Sequence, residues 1–194
     1  TPMNSPFAPA PDYENLVTKN IIFIHRTRDV GVISLEQARQ FGVTGPNLRA
    51  CGVAFDMRRA EPYEVYDRLD FEIPVGTKGD ALDRYNVRMI EMEQSCRIIE
   101  QALDQLPGGA FLNPKVPDRL RPPKGDLYFG FESARGQTGY YIVSDGSTMP
   151  YRLHVRVPSF GNLHVLVEAF QGTLLADAIS TMGSVDLVIP EIDR

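Results

Sequence analysis

Apolar residues recur every three or four positions across residues 79–106. They are Leu82, Tyr85, Met89, Met92, Cys96, Ile99, Leu103 and Leu106. This spacing predicts one long amphipathic helix with a single apolar seam, and at about 1.5 Å per residue the helix spans roughly 40 Å. A second stripe of Val87, Ile90 and Ile98 widens the apolar face, which predicts burial inside a helical bundle. Pro107 and Gly108 end the helix.

Shorter elements precede this helix. A capping-box pattern, Ser34 followed by Gln37, predicts a helix over residues 35–41 that Gly42 closes. Residues 12–18 have the composition of a short helix, whereas the apolar run at 20–24 indicates a short strand or a buried turn.

The segment between these elements and the long helix carries many turn-forming and charged residues. Glycine and proline punctuate residues 44–52, which indicates a connector, and no GxGxxG or lysine-bearing phosphate loop is present. Arginines, acids and tyrosines mix over residues 56–66, which is typical of a solvated or interfacial loop. Residues 70–75 are predicted to be extended.

A proline-rich linker after the long helix leads to three predicted strands, over residues 127–132, 139–144 and 151–157. Apolar and polar residues alternate in the third strand, which predicts a sheet covered on one face. Asp145 and Gly146 are turn residues, so the second and third strands should form an antiparallel hairpin.

Two further helices are predicted near the end of the sequence. They cover residues 159–170 and 174–182, with Gln171 and Gly172 between them, and residues 183–194 follow as a tail. Helices and strands are thus segregated along the chain, and the sequence predicts an α+β fold, with a long-helix bundle and a small antiparallel sheet.

Composition narrows the class of protein. The net charge of −5 argues against general nucleic-acid binding, and the longest apolar runs are too short to cross a bilayer. Cys51 and Cys96 lie far apart and form no CxxC pair, so they indicate buried thiols rather than a metal or disulfide framework. Four prolines in the first dozen residues predict an extended arm over residues 1–14, ahead of a domain at 15–194.

The residues alone do not define an active site. His25, His154 and His164 are widely separated, and each is typical of a structural or surface histidine. The carboxylates form no recognisable acid and base pair on one element, and no GxSxG motif is present. No catalytic residue and no metal ligand is therefore assigned.

Long blocks of the sequence nevertheless resemble a known family. The blocks, in order, are VGVIS, VTGPNLRACGV, EPYEVYDRLDFEIPVGTKGD, DRYNVRMIEMEQSCRIIEQAL, ESARGQTGYYIVSDGSTMPYRLHVRVPSF and GSVDLVIPEIDR. They resemble the component of NADH:quinone oxidoreductase, respiratory complex I, that is called the 49 kDa subunit in mitochondria. The resemblance covers nearly everything after about residue 15 and implies a hydrogenase large-subunit-like fragment.

That family is related to the large subunits of nickel-iron hydrogenases, in which a terminal Asp-Pro-Cys-x-x-Cys holds the metal. The corresponding residues here are Asp186, Leu187, Val188, Ile189, Pro190 and Glu191. Both thiolates are absent, which favours the quinone-reducing branch over the hydrogenase branch.

The resemblance implies a place in the quinone-reducing module. Electrons from NADH reach an iron-sulfur cluster in a neighbouring subunit, quinone is reduced in a cleft between the two subunits, and the reaction drives proton translocation. Quinone would be the substrate, and the chain itself would bind no cofactor. The residues expected at the cleft are Asp186, Val188, Ile189, Asp193, Arg194 and Arg135. Arg135 is expected to pair with one of the tail carboxylates; alternatively, Asp186 acts as a helix cap and Arg194 as a terminal anchor.

The resemblance also implies partners. These are the terminal iron-sulfur subunit, the 30 kDa-type subunit and the membrane subunit of the quinone channel, on the matrix side of the mitochondrial inner membrane or the cytoplasmic face of a bacterial membrane. The chain matches only the C-terminal half of the family pattern, so a separate chain is expected to supply the other half, although an excised domain explains the same facts. A scaffold role without quinone chemistry is the alternative.

Two departures from the family pattern concern the linker and the tail. The helical insert expected before KGDLYFG is missing, and Leu187 and Pro190 replace the usual proline and glycine. Because Pro190 fixes its own backbone and restricts Ile189, the sequence leaves open whether the tail follows the usual path of the family.

Overall fold

A computed structural model of the chain describes residues 13–110, 112, 115–117 and 119–193. Its helices, in chain order, are α1 (Ile21–Thr27), α2 (Leu35–Gln40), α3 (Pro46–Ala50), α4 (Met57–Ala60), α5 (Ala81–Asp104), α6 (Pro158–Ala169), α7 (Leu175–Val185) and α8 (Ile189–Ile192). A π-helical turn over Glu14–Thr18 and a 3-10 turn over Tyr66–Arg68 complete the helical segments described. Three strands, β1 (Gly125–Ser133), β2 (Gly136–Ser144) and β3 (Arg152–Arg156), form one antiparallel sheet in that order. The predicted α+β class is confirmed.

The long predicted helix is confirmed as α5. Its first turn is capped by Asp80, whose carboxylate accepts a hydrogen bond from the Asp83 amide at 2.7 Å. The predicted burial of its seam is confirmed only in part: Cys96 is buried, whereas Met92, Ile99 and Leu103 are 45%, 45% and 58% exposed. The buried residues of the helix are Ala81, Arg84, Val87 and Cys96. Helices α3 and α7 pack against it. Apolar spacing shows which face can be buried, whereas the coverage depends on the elements available to pack on it.

The N-terminal elements combine confirmed and corrected predictions. The strand or buried turn expected at 20–24 is wrong: Asn20 accepts a hydrogen bond from the Ile22 amide at 2.9 Å and starts α1. A side-chain cap at this position outweighs the β preference of the isoleucines. Most of the predicted arm, residues 1–12, lies outside the described residues; Glu14, its last residue, already belongs to the π-helical turn.

Helix α2 follows the prediction closely. Ser34 and Gln37 form both hydrogen bonds of the capping box, and Gly42 follows the helix with φ of 65°. The connector predicted at 44–52 is wrong, since it contains the buried helix α3. Pro46 occupies the first helical position, where proline promotes a helix rather than breaking one.

The loop predicted at 56–66 is solvated only in part. Asp56 and Met57 are buried, and residues 57–60 form α4. Asp56 caps this short helix through the Arg58 amide and also pairs with the Arg58 side chain at 2.6 Å. Charge pairing therefore permits burial in a segment whose composition indicates a solvated loop.

The sheet confirms the three strands and the predicted β2–β3 hairpin. Arg156 pairs with Gly139 and Arg152 with Val143 across that hairpin. The apolar face of the sheet is covered by other elements only near Val155. Leu153, which is in register with Ile142 and Leu127, is exposed. Packing elements are grouped at the other end of the sheet, near the β1–β2 turn.

The hydrophobic core lies between α2, α6 and the end of α7. Its buried members are Ile33, Ala38, Val43, Val165, Leu166, Ala169 and Val185. Helices α6 and α7 match the two predicted C-terminal helices, but α7 extends to Val185, so the tail begins at Asp186.

A buried ion cluster joins the sheet to the helices. The Arg49 side chain, which is 2% exposed, donates to Glu91 at 2.6 Å from Nε and to Glu132 at 2.8 Å from Nη1. Glu132 also accepts from the Met57 amide at 3.2 Å. Burial raises the pKa of the Glu132 carboxyl above its ordinary value, because desolvation outweighs the attraction of Arg49. The cluster therefore ties β1 to α3, α4 and α5.

Replacing Gly45 with alanine should destabilise the fold strongly. An added Cβ would lie 2.4 Å from the Arg135 carbonyl oxygen, and φ is 71°. We expect Gly45→Ala to lower the free energy of unfolding by about 3 kcal/mol, measured by urea titration of the chain. Gly42→Ala is the matched control, since φ is 65° and no atom lies within 4 Å of the added Cβ. Its expected cost is about 1 kcal/mol, and equal costs would contradict the close docking at Gly45.

The raised pKa of Glu132 predicts a pH dependence with a definite sign. The folded state holds this proton more tightly than the unfolded chain, so the contribution is fully present below the ordinary value of 4.5 and is lost as the pH rises through the raised folded pKa. The unfolding free energy of the native chain relative to Glu132→Gln should therefore fall as the pH rises from the ordinary value of 4.5 toward neutral. Urea titrations over this range test it, with the exposed Glu93→Gln as control. A rising difference would contradict the assignment.

Candidate functional site

The tail turns sharply where α7 ends. Asp186 follows Val185 with φ of 57° and ψ of 61°, in the left-handed region that aspartate tolerates better than most residues. Its amide donates to the Gly183 carbonyl at 3.3 Å, so its backbone caps the helix while its carboxylate is left for another contact. The capping interpretation therefore describes the backbone of Asp186 and leaves the role of its side chain open.

Arg135 supplies the contact to that carboxylate. It lies in the two-residue turn between β1 and β2, and its Nε donates to the Asp186 carbonyl at 3.1 Å. The side chains form an ion pair, with Arg135 Nε 3.3 Å from Asp186 Oδ2 and Nη2 3.3 Å from Oδ1. The two side chains are 32% and 43% exposed, so solvent reaches the pair. The structure thus brings together Arg135 and Asp186, one of the tail carboxylates with which the resemblance implies that Arg135 pairs.

Two arginines of α5 hold the chain just before Asp186. Arg88 donates from Nη1 to the Ser184 carbonyl at 2.6 Å and from Nη2 to the Val185 carbonyl at 3.3 Å. Arg84 donates from Nε to the Ser184 hydroxyl at 3.0 Å. Burial, and secondarily the charge of Arg88, lowers the pKa of Arg84 to about 10, so the Arg84 guanidinium stays charged near neutral pH. Their charges are satisfied mainly by carbonyl oxygens.

The remaining predicted site residues lie further along the tail. The Val188 amide donates to the Ser159 hydroxyl at 3.4 Å, and Ser159 also donates to the Glu191 carboxylate. Ile189 is exposed at the start of α8, and Asp193 is exposed just after it. The structure shows no contact of Asp193 with the Arg135–Asp186 pair among the described residues, and Arg194 lies outside them.

A cavity of about 360 Å³ adjoins the Asp186 member of the pair. Its lining comprises Phe23, Arg26, Thr27, Ala81, Tyr85, Arg88, Ser180, Gly183, Ser184 and Asp186. Aromatic walls beside a carboxylate and guanidinium groups suit a planar ligand with polar oxygens. A second cavity, of about 550 Å³, runs along the seam of α5 and is lined by Tyr13, Val17, Tyr85, Met89, Met92, Ser95 and Cys96.

The cysteines do not point to metal chemistry. Burial raises the pKa of the Cys51 thiol to about 11, and the single proton of this half-buried thiol has two acceptors within reach, the carbonyls of Ile33 and Asn47, each at 3.2 Å. Cys96 is buried, as expected. Within the described ranges, no three or more histidine, cysteine or acidic side chains are grouped as metal ligands.

The described part of the chain has no helix that is both long and apolar enough to span a bilayer.

Sequence reasoning missed Arg84, Arg88 and Asn47, which hold the tail. Asn47 is buried, and its side-chain amide donates to the Val185 carbonyl at 3.1 Å. One signal was available: Arg84 and Arg88 lie four positions apart, and like charges at that spacing are unfavourable on a solvated helix face. Such a pair indicates buried partners, although the sequence does not say which.

Comparison with known proteins identifies the family that the chain matches. The family model described as "Respiratory-chain NADH dehydrogenase, 49 Kd subunit" matches residues 8–119 and 114–194, so the two matches together cover nearly all of the chain. They meet in the proline-rich linker, where the resemblance indicates a missing insert.

Several bacterial proteins that are named as a subunit of NADH-quinone oxidoreductase are similar to the chain. The protein of Syntrophobacter fumaroxidans is 78% identical over 184 residues, which are 95% of this chain and 49% of the relative. Those of Desulfotalea psychrophila and Desulforamulus reducens are 54% and 50% identical, each across 94% of this chain and 49% and 50% of the relative. The chain thus spans about half the length of the curated relatives it matches. With a family match over nearly its whole length, the chain belongs to the 49 kDa subunit family of the respiratory-chain NADH dehydrogenase.

Proposed function

We propose that the chain forms part of the quinone-reducing module of respiratory complex I. In this proposal Arg135 and Asp186 lie at the quinone cleft, beside the subunit that carries the terminal iron-sulfur cluster. The observation that supports it best is the partly exposed Arg135–Asp186 pair, in which Asp186 lines a cavity with aromatic walls. Membership of a family described as a respiratory-chain NADH dehydrogenase subunit supports a role in a redox reaction that begins with NADH.

The reaction suits these residues. Quinone takes up two electrons and two protons to become quinol, and in this proposal the electrons come from the neighbouring iron-sulfur cluster. A solvent-accessible carboxylate such as Asp186 can pass protons toward a quinone oxygen. The fixed charge of Arg135 stabilises negative charge that develops on that oxygen before protonation. In this proposal Val188 and exposed Ile189 provide apolar contacts for the quinone, and the electron carrier belongs to the neighbouring subunit.

The proposal includes partners and a location. The chain works with the terminal iron-sulfur subunit, the 30 kDa-type subunit, the membrane subunit of the quinone channel and the remaining half of the 49 kDa subunit, and it is inactive alone. Quinone reduction in the assembled complex drives proton translocation. Because the relatives are bacterial, we place the complex on the cytoplasmic face of a bacterial membrane in preference to the mitochondrial inner membrane.

A scaffold role is the second candidate, and the exposed seam of α5 favours it. Met92, Ile99 and Leu103 recur at helical spacing and remain accessible, as expected for a surface that contacts another protein. A scaffold role requires this surface and does not require the Arg135–Asp186 pair. The two roles can therefore be separated by mutation.

Replacing the carboxylate at Asp186 should slow quinone reduction. We expect Asp186→Asn to lower the kcat of NADH:quinone reduction in the assembled complex by about a hundredfold, because a proton-transferring group is lost. NADH oxidation with a soluble acceptor that takes electrons before the quinone should be unchanged.

Asp67→Asn is the matched control, since this exposed aspartate lies outside the site. Equal turnover of the Asp186→Asn complex and the native complex, at normal subunit content, would contradict the proposed function and favour the scaffold role.

Charges on the seam should disturb assembly. We expect Met92→Glu and Leu103→Glu to reduce recovery of the neighbouring subunits by at least about tenfold, because an interface would have to bury an unpaired carboxylate. Quantitative mass spectrometry of the affinity-purified complex measures this recovery. The control is Glu93→Gln on the exposed side of α5, and full recovery with both glutamate variants would exclude the seam as an interface.

A further inference from the structure

The short helix α3 lies between the two segments that carry the Arg135–Asp186 pair. Asn47 and Arg49 are two positions apart on this helix, and at about 100° per residue their side chains point in nearly opposite directions. Both are almost fully buried. Each makes polar contacts with a different part of the site.

Asn47 faces the tail. Its side-chain nitrogen donates to the Val185 carbonyl at 3.1 Å, one residue before Asp186. Its side-chain oxygen accepts from Arg88 Nη2 at 3.2 Å, and the same arginine holds the Ser184 carbonyl. The end of α7 is thus fixed to α3 directly by Asn47 and through Arg88.

Arg49 faces the sheet. Its ion pair with Glu132 fixes the end of β1 that leads into the turn. Glu132 lies three positions before Arg135. The residues before α3 hold the other side of the same turn: the Gln137 amide donates to the Thr44 hydroxyl at 3.1 Å. An alanine Cβ at Gly45 would collide with the backbone of Arg135 and Gly136, so the turn rests directly on the start of α3.

The ion pair needs such support. Arg135 and Asp186 are accessible to solvent, and exposed ion pairs contribute too little stability to hold two chain segments in register. Reactive groups misplaced by about 1 Å can lose about a hundredfold in rate. The geometry of the pair must therefore come from the buried contacts on either side.

We propose that α3 is a bracket that sets the position of Arg135 relative to Asp186, with Asn47 and Arg49 as its positioning residues. Asn47 fixes the tail and Arg49 fixes the β1–β2 turn, and neither touches the substrate. The significance of the bracket for quinone chemistry rests on the proposed function, whereas its mechanical role does not.

Hydrogen exchange in the assembled complex tests the mechanical role. We expect Asn47→Leu to speed amide exchange in a tail peptide covering residues 184–193 by about tenfold, because a buried hydrogen bond is lost. Arg49→Met should have the same effect on a turn peptide covering residues 133–138. Asn86→Leu, a half-buried asparagine on α5, is the matched control and should change neither peptide.

A gentler variant covers the case in which leucine prevents assembly. Asn47→Asp keeps the side-chain size and the acceptor for Arg88 but removes the donor to Val185, and it should loosen the tail peptide in the same way. Unchanged tail exchange in whichever variant assembles would overturn the bracket.

Steady-state kinetics then separate positioning from general destabilisation. If Asn47 acts through Asp186, Asn47→Asp should lower the kcat of quinone reduction about tenfold in the native background and less than about twofold in the Asp186→Asn background. Equal losses in both backgrounds would contradict a positioning role. If Asp186→Asn alone has no effect, the proposed function fails, while the exchange result still decides whether α3 is a bracket.

Discussion

The buried charge of Arg49 is the interaction on which the arrangement of the elements depends. A guanidinium that is 2% exposed is stable only if carboxylates and carbonyls surround it, and here Glu91, Glu132 and the Phe55 carbonyl do so. Because these partners belong to α5, β1 and the segment before α4, satisfying one charge brings three separate parts of the chain together. Removing Arg49 alone would leave two carboxylates buried and less well compensated.

The same principle extends to the tail. Arg84 of α5 is also buried and Arg88 is half-buried, and most of their donors are directed at main-chain carbonyls, several of them near the end of α7. Apolar packing between α2, α6 and α7 supplies the core. Directional bonds from arginines determine where Asp186 lies, since apolar contacts alone would tolerate sliding of the tail. Specific geometry at the candidate site therefore follows from polar contacts, and stability follows chiefly from the core.

Local signals in the sequence predicted much of the fold. The seam periodicity indicated α5, the Ser34–Gln37 capping box indicated α2, and alternation with turn residues indicated the β2–β3 hairpin. The failures are of two kinds. Asn20 and Pro46 started helices where neighbouring residues indicated a strand or a connector, and coverage of the seam depended on contacts that a single element does not specify.

The candidate site was predictable in part for a related reason. Arg135 and Asp186 stood out through resemblance to the family, and the structure pairs them. The supporting residues Asn47 and Arg88 act through contacts between distant segments, which spacing along the chain does not reveal.

In the proposed function, the Arg135–Asp186 pair lies at the quinone cleft. The most direct measurement is photolabelling of the assembled complex with a quinone carrying a photoreactive group on its headgroup, followed by peptide mapping. We predict labelling within residues 133–138 or 184–193 that excess quinone prevents. Labelling confined to other subunits, or to parts of this chain remote from both segments, would contradict the claim.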